Sequence, residues 1–295
     1  MRALRFHGKG DVRLDDIPIP QCGPREVRLK VAYCGICGTD VHEYLDGPIL
    51  LPSHDEPNKF TGAGLPLTMG HEMSGIVTEV GGDVKSVTVG QRVCVNPATG
   101  CEHQGRPDCE LCVAGRRNIC TCSAFYGLQC AAGGFADDIC VDAIAIKPLA
   151  DHVSLKLGAM AEPLAVASHM VRVSGFRKGQ NVVVLGAGPI GCALTLLLKE
   201  NVAIHEKPLQ IDMNRITLSE KRILAGNAYT NDDFDTVVRL LERRGPEIES
   251  FITAVVPLEQ AVRGGFEELV HHKAQHSKIL IEVGGELRER ISSSL

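Results

Sequence analysis

The chain has 295 residues, 44% of them hydrophobic and 23% charged, which is enough for two domains each with its own core. Its net charge of −5 argues against nucleic acid or an anionic membrane surface as the main partner, because gripping phosphates needs a positive footprint. A small molecule is the expected partner. Twelve cysteines, with no apolar run of signal-peptide length in residues 1–7, point to a cytoplasmic setting where thiols ligate metal or pack in the core.

Residues 2–36 read as strands, since Val27, Leu29 and Val31 alternate with charged residues in the period-two pattern of a sheet with one wet face. Residues 75–80 and 93–96 continue that character, while the glycine-rich and proline-rich stretches 46–70 and 97–117 read as loops. From Ser154 the texture becomes helical, with Leu155, Leu157, Met160, Leu164, Ala167 and Met170 among the apolar positions. Residues 181–185 form a continuous apolar run of the kind buried in a parallel sheet, and residues 189–199 its following helix. Further strands are expected near 202–205, 223–228 and 278–283, with helices over 232–243 and 258–270. The uncharged run 181–198 is about as long as a minimal membrane span of ~18 residues, but Gly186, Gly188, Pro189 and Gly191 interrupt it. The fold class is therefore α/β: a β-rich domain over 1–153, a parallel-sheet nucleotide domain over 154–250, a return segment over 251–283, and a polar, disordered tail over 284–295.

Two groups of residues carry metal chemistry. Cys37, His71 and Glu162 offer the three N, S and O ligands of a catalytic zinc that keeps one position open, with Glu72 as an alternative oxygen donor. Glu162 precedes Pro163, which allows a helix to start just after it. Cys37 and His71 are, taken singly, equally compatible with a buried thiol and a core histidine. The spacing Cys101-x7-Cys109-x2-Cys112-x7-Cys120 fits a closed four-thiolate site pinning a polar loop, with His103 and Cys122 as substitute ligands.

Gly70-His71-Glu72-x2-Gly75-x5-Gly81-x2-Val84 resembles the signature of the zinc-containing medium-chain alcohol dehydrogenases. The run from Cys37 to Pro48, with Gly133-Gly134-Phe135-Ala136-Asp137, is most similar to the branch of (R,R)-butanediol dehydrogenase, with sorbitol dehydrogenase a neighbour. The resemblance implies a GroES-like catalytic domain and a Rossmann coenzyme domain, two zinc ions per chain, NAD with NADP not excluded, and an alcohol or ketone substrate. It leaves a homo-oligomer open. It also implies that Asp40 orients His71 and that Thr39 and His42 relay the substrate's proton. Thr39 and Asp40 are compatible, too, with simply capping a helix, and His42 with an exposed helical position.

Gly186-Ala187-Gly188-Pro189-Ile190-Gly191, between an apolar strand and an apolar helix, is the context in which a glycine loop admits a pyrophosphate to a helix amino end. The chain after it is too short for two βαβαβ halves, so the middle of the Rossmann domain is expected to be absent at residues 199–201. Asp212 lies at the usual distance for a ribose-binding acid, but no apolar strand leads into it. Glu206 is the sharper candidate. A helix of about twelve residues climbs ~18 Å, enough to return the chain to the start of a strand near ~17 Å long. If residues 202–205 pair beside 181–185, Glu206 follows at the strand end where the lost acid belongs. The alternative to an active dehydrogenase is a catalytically silent zinc-binding remnant with an interaction role.

Overall fold

The alternating core positions of residues 26–35 set the architecture. In the computed structural model, which describes residues 1–105, 109–198, 202–205, 218 and 223–284, these positions lie in a long strand bonded along both edges. The strands are β1 (Arg2–Gly8), β2 (Asp11–Asp16), β3 (Glu26–Gly35), β4 (Leu67–Thr68), β5 (Glu72–Val80), β6 (Arg92–Val95), β7 (Ala98–Thr99), β8 (Ala124–Phe125), β9 (Asp138–Asp142), β10 (Ile146–Pro148), β11 (Val182–Leu185), β12 (Val202–His205), β13 (Ile252–Pro257) and β14 (Lys278–Glu282). The α-helices are α1 (Gly38–Asp46), α2 (Glu110–Val113), α3 (Leu155–Gly158), α4 (Ala161–Ser174), α5 (Pro189–Leu198), α6 (Asn231–Glu249) and α7 (Glu267–His271).

The main sheet runs β10-β6-β5-β3-β14-β13, with β9 also pairing β3. β3 is antiparallel to β5 along most of its length, to β9 over residues 26–30 and to β14 over residues 33–35. Its side chains Val27, Leu29, Val31 and Cys34 are fully buried, and they join Phe6, Leu67, Phe135 and Ile281 in one core. The return segment thus closes the sheet of the β-rich body: β14 lies beside β3 and β13 runs parallel to β14. A second core, under α3, α4 and α6, contains Tyr33, Leu155, Leu164, Tyr229, Phe234 and Leu241.

The glycine-loop unit is smaller. β11 and β12 form a separate two-stranded parallel sheet in which Val182 faces Val202 and Leu185 faces His205. This is the pairing the short α5 return requires, and α5 covers 189–198 of the expected 189–199, residue 199 lying outside the described residues. The expectation that 181–185 is buried on both faces is overturned, because Val183 is 63% exposed and Leu185 56%, with Val184 alone buried. A parallel strand is covered on both faces only when helices lie on both sides of its sheet, and two strands offer little to cover. The strand expected at 223–228 is also absent: residues 223–227 have no regular structure, and Ile223 and Leu224 are exposed. The helix expected over 258–270 is broken into a 3₁₀ turn, a π turn and α7. The acid candidates Glu206 and Asp212, and the tail from residue 285, lie outside the described residues.

Candidate functional site

α1 begins where β3 ends. Cys37 is its N-cap residue, and its backbone N–H donates to Asp40 Oδ2 at 2.9 Å. Asp40 is fully buried, and its other oxygen, Oδ1, stands 3.6 Å from His71 Nδ1. One carboxylate therefore caps the helix and faces the imidazole, so the two readings of Asp40 are compatible. Burial pushes the Asp40 carboxyl up to about 6, with His71 pulling it back. His71 is held well above its ordinary value: burial opposes its charge, but Asp40 and Cys37 outweigh that.

Ligand atoms of Cys37, His71 and Glu72 all lie within 4.8 Å of one another. Glu162 is outside that trio but adjoins it, since its buried carboxyl is raised to about 7 by burial, lowered by His71 and raised again by Glu72. It sits in the first turn of α4, which starts at Ala161. The expected start just after Glu162, at Pro163, is thus two residues late, because proline is tolerated within a helix's first turn. His71 Nδ1 and Asp40 Oδ1 have no hydrogen-bond partner of normal geometry. A thiol, an imidazole and two carboxyls brought together suit a divalent cation of the zinc type.

Glu72 is not free. Both of its oxygens lie 2.7 Å from Lys278 Nζ, which also donates to Ile36 O at 3.1 Å, and all three groups are buried. Gly35 makes room for this, because a Cβ there would collide with the Glu72 carboxylate. Sequence reasoning missed Lys278, although a single lysine opening the otherwise apolar run Ile279-Leu280-Ile281 was a usable signal. It also missed Tyr229, whose ring packs edge-on to Phe125 and tilted against Phe234. The Tyr229 hydroxyl is buried without a standard partner and is raised by burial and by the nearby Glu162. Thr39 Oγ1 is 3.7 Å from Cys37 Sγ, while His42 is exposed on α1.

The second group is more compact. Sγ atoms of Cys101, Cys109, Cys112 and Cys120 lie within 4.8 Å of one another; Cys101 and Cys120 are 3.1 Å apart, and Cys109 and Cys120 3.9 Å. Tetrahedral Zn–S bonds of ~2.3 Å give S···S edges of about 3.8 Å, so the spacing fits. The thiols compete for protons: backbone N–H groups of Cys112 and Leu111 lower Cys109 to about 7, while burial and its neighbours raise Cys112 to about 11. A cation is what lets all four be thiolates together. His103 accepts from Gly100 N–H at 3.0 Å and is lowered to about 4 by burial and Arg117. His103 and Cys122 lie outside the quartet. Arg117 ties this lobe to the body through Asn231 Oδ1 at 2.8 Å and Ala98 O at 3.0 Å.

At the glycine loop, Gly186 has φ +100°, and Gly191 packs so closely on Gly186 O that a Cβ would not fit. α5 starts at Pro189, so the loop opens directly onto a helix amino end, with Gly188, Pro189 and Ile190 at its rim.

A four-cysteine lobe, a mixed thiol, imidazole and carboxyl cluster and a glycine loop on a parallel βαβ unit are together the marks of a metal-dependent, nucleotide-linked oxidoreductase. Residues 23–151 match the alcohol dehydrogenase GroES-like domain. The chain is 33% identical to (R,R)-butanediol dehydrogenase of Saccharomyces cerevisiae, covering 95% of this chain and 98% of that protein. It is 36% identical to the Bacillus subtilis enzyme of the same name over 89% of this chain and 74% of that one. The crystal structure of 2R,3R-butanediol dehydrogenase from Bacillus subtilis superposes with a TM-score of 0.85 at 28% identity, covering 96% and 99% of the two chains. The chain belongs to the zinc-containing medium-chain alcohol dehydrogenase family and is an alcohol dehydrogenase enzyme. The 374 aligned positions exceed its own 295 residues, so at least 79 positions of the yeast protein stand opposite gaps here. Nothing in these likenesses supports the silent-remnant alternative. Among the described residues no helix is long and apolar enough to cross a membrane.

Proposed function

We propose that this chain oxidises a secondary alcohol or vicinal diol of the 2,3-butanediol and acetoin type in the cytoplasm, with NAD as the hydride acceptor. The observation that carries the reading is the buried convergence of Cys37, His71, Glu72 and Glu162, in a chain whose relatives are named for butanediol. Cys37, His71 and Glu162 would hold the catalytic zinc, with Glu72 as the alternative oxygen donor, and Cys101, Cys109, Cys112 and Cys120 the structural one. Zinc so held supplies the Lewis acidity that brings an alcohol hydroxyl's pKa toward neutrality. Asp40 fixes the His71 ring by facing Nδ1, and Lys278 holds Glu72 in place. Thr39, beside the Cys37 thiol, takes the proton, and exposed His42 passes it to solvent.

Residues 1–153 serve as the catalytic domain, 154–250 as the shortened coenzyme domain and 251–283 as the return to the first. Gly186, Gly188, Pro189, Ile190 and Gly191 cradle the pyrophosphate at the start of α5. Glu206, next after β12, accepts from the adenosine ribose. The register of β12 beside β11 supports this, since it carries the chain to the strand end where that acid belongs. Titrating the zinc-loaded chain with NADH tests the coenzyme half. Glu206→Ala is expected to weaken binding by about 10²-fold to 10⁴-fold, the worth of two charge-assisted hydrogen bonds to the ribose. An unchanged dissociation constant removes Glu206 from the site.

A further inference from the structure

Tyr229 is buried beside the metal cluster, and its surroundings fix where the ring points. The ring stands edge-on to Phe125 with centroids 6.4 Å apart and tilted against Phe234 at 5.6 Å. The backbone on either side is pinned. Asn118, in the cysteine lobe, donates from Nδ2 to Asn227 O at 2.8 Å, and Thr230 closes a reciprocal cap with Asp233 at the start of α6. Between them Ala228 sits at φ +48°, a left-handed conformation that a residue other than glycine holds only where its surroundings over-determine it.

Packing alone asks for a phenylalanine here. A hydroxyl sealed from solvent costs free energy unless it finds an acceptor, and the Tyr229 hydroxyl has no partner of normal hydrogen-bond geometry. Glu162 is the acceptor it faces. That carboxyl acts on the phenol by its charge and by a loose hydrogen-bond contact, ahead of Glu72 and Cys37, and the same contact is felt in turn at Glu162. A phenol keeps its proton near neutrality, so Tyr229 is the donor. The other two groups already have such partners: His71 faces Asp40, and Glu72 is held by Lys278. Glu162, outside the compact trio of Cys37, His71 and Glu72, has the greatest need of one.

We propose that Tyr229 is a positioning residue for the metal centre, its hydroxyl donating to the Glu162 carboxylate and setting which oxygen that side chain turns toward the cation. The assignment rests on Glu162 being a ligand of the catalytic zinc. Each of the three groups then has one partner behind it, and the partners come from three separate elements of the chain.

Tyr229→Phe keeps the ring and its packing and removes only the hydroxyl. Competition of the full, zinc-loaded chain against a chelator measures the two zinc affinities, the catalytic equivalent being the one that His71→Ala releases. Tyr229→Phe is expected to weaken that equivalent by about 10-fold to 100-fold and to leave the four-cysteine equivalent unchanged. In the Glu162→Ala background, itself weakened at the same equivalent, adding Tyr229→Phe changes nothing further, because the hydroxyl acts only through the carboxylate. A hydroxyl with a packing role alone shifts the urea midpoint of the metal-free chain and leaves zinc affinity where it was. Wild-type zinc affinity in Tyr229→Phe with Glu162→Ala still weakened, or an equal loss from Tyr229→Phe in both backgrounds, overturns the proposal and keeps Glu162 as a ligand. Undiminished affinity in Glu162→Ala removes Glu162 from the metal, and the proposal with it.

Discussion

Leu29 and Leu185 are the same side chain in two kinds of strand. Leu29, in β3, is fully buried, and its strand is bonded along both edges; Leu185, in β11, is 56% exposed, and among the described residues its strand pairs with β12 alone. The metal-bearing body closes its own sheet by recruiting β14 from the far end of the chain. The glycine-loop unit has a strand, turn and helix of the kind that admits a pyrophosphate, and among the described residues a sheet of only two strands. The two regions therefore rest on unequal foundations: the Cys37–His71–Glu72 cluster lies against a packed core, while among the described residues the glycine loop stands on two strands.

The largest expected effect probes the packed side. Lys278→Met strands the Glu72 carboxylate without its cation in a fully buried place, and is expected to cost ~3–5 kcal/mol in urea unfolding of the metal-free chain. Adding Glu72→Gln should restore most of it, and failure of that rescue would mean the pair is not the source. Leu29→Ala should cost about 2–5 kcal/mol, whereas Leu185→Ala should stay within about 0.5 kcal/mol. Similar losses at the two positions would break the contrast between the regions.

Asp233 tests the contact between α4 and α6 in the second core. It caps α6 through Thr230, accepts from Arg172 Nε at 2.7 Å and lies 2.8 Å from His169 Nδ1 on α4. Its carboxyl is therefore held well below the usual carboxylate range, the bonds from Arg172 and Thr230 overcoming burial. A depressed folded-state pKa stabilises above the unfolded value, about 4, and that contribution is lost as pH falls through the folded value. Asp233→Asn should cost about 1.5–3 kcal/mol near neutrality and flatten the acid limb of the stability profile. Unfolding midpoints across the acid range provide the check.

Much of this was readable from residue order. Period-two alternation placed β3, the spacing of Cys101, Cys109, Cys112 and Cys120 placed the thiol quartet, and the run Val182 to Leu185 placed β11 together with its partner. Burial was not readable in the same way. An apolar run states what a strand prefers, while its exposure depends on how many strands surround it, and that number is a property of the chain elsewhere. Lys278 was half-legible for a related reason: a lysine opening an apolar run is a signal, but its role is readable only once its partner Glu72, some two hundred positions away, is seen to face it. Residues 223–227, apolar enough for a strand, have no described neighbour to pair with.

The most direct test is NADH formation from (R,R)-2,3-butanediol by the full chain loaded with two zinc equivalents, with His71→Ala as the control. Turnover by the wild type that disappears in the variant is the predicted result. Zinc retained at both cysteine-bearing sites with no NADH formed, at saturating NAD and diol, would contradict it.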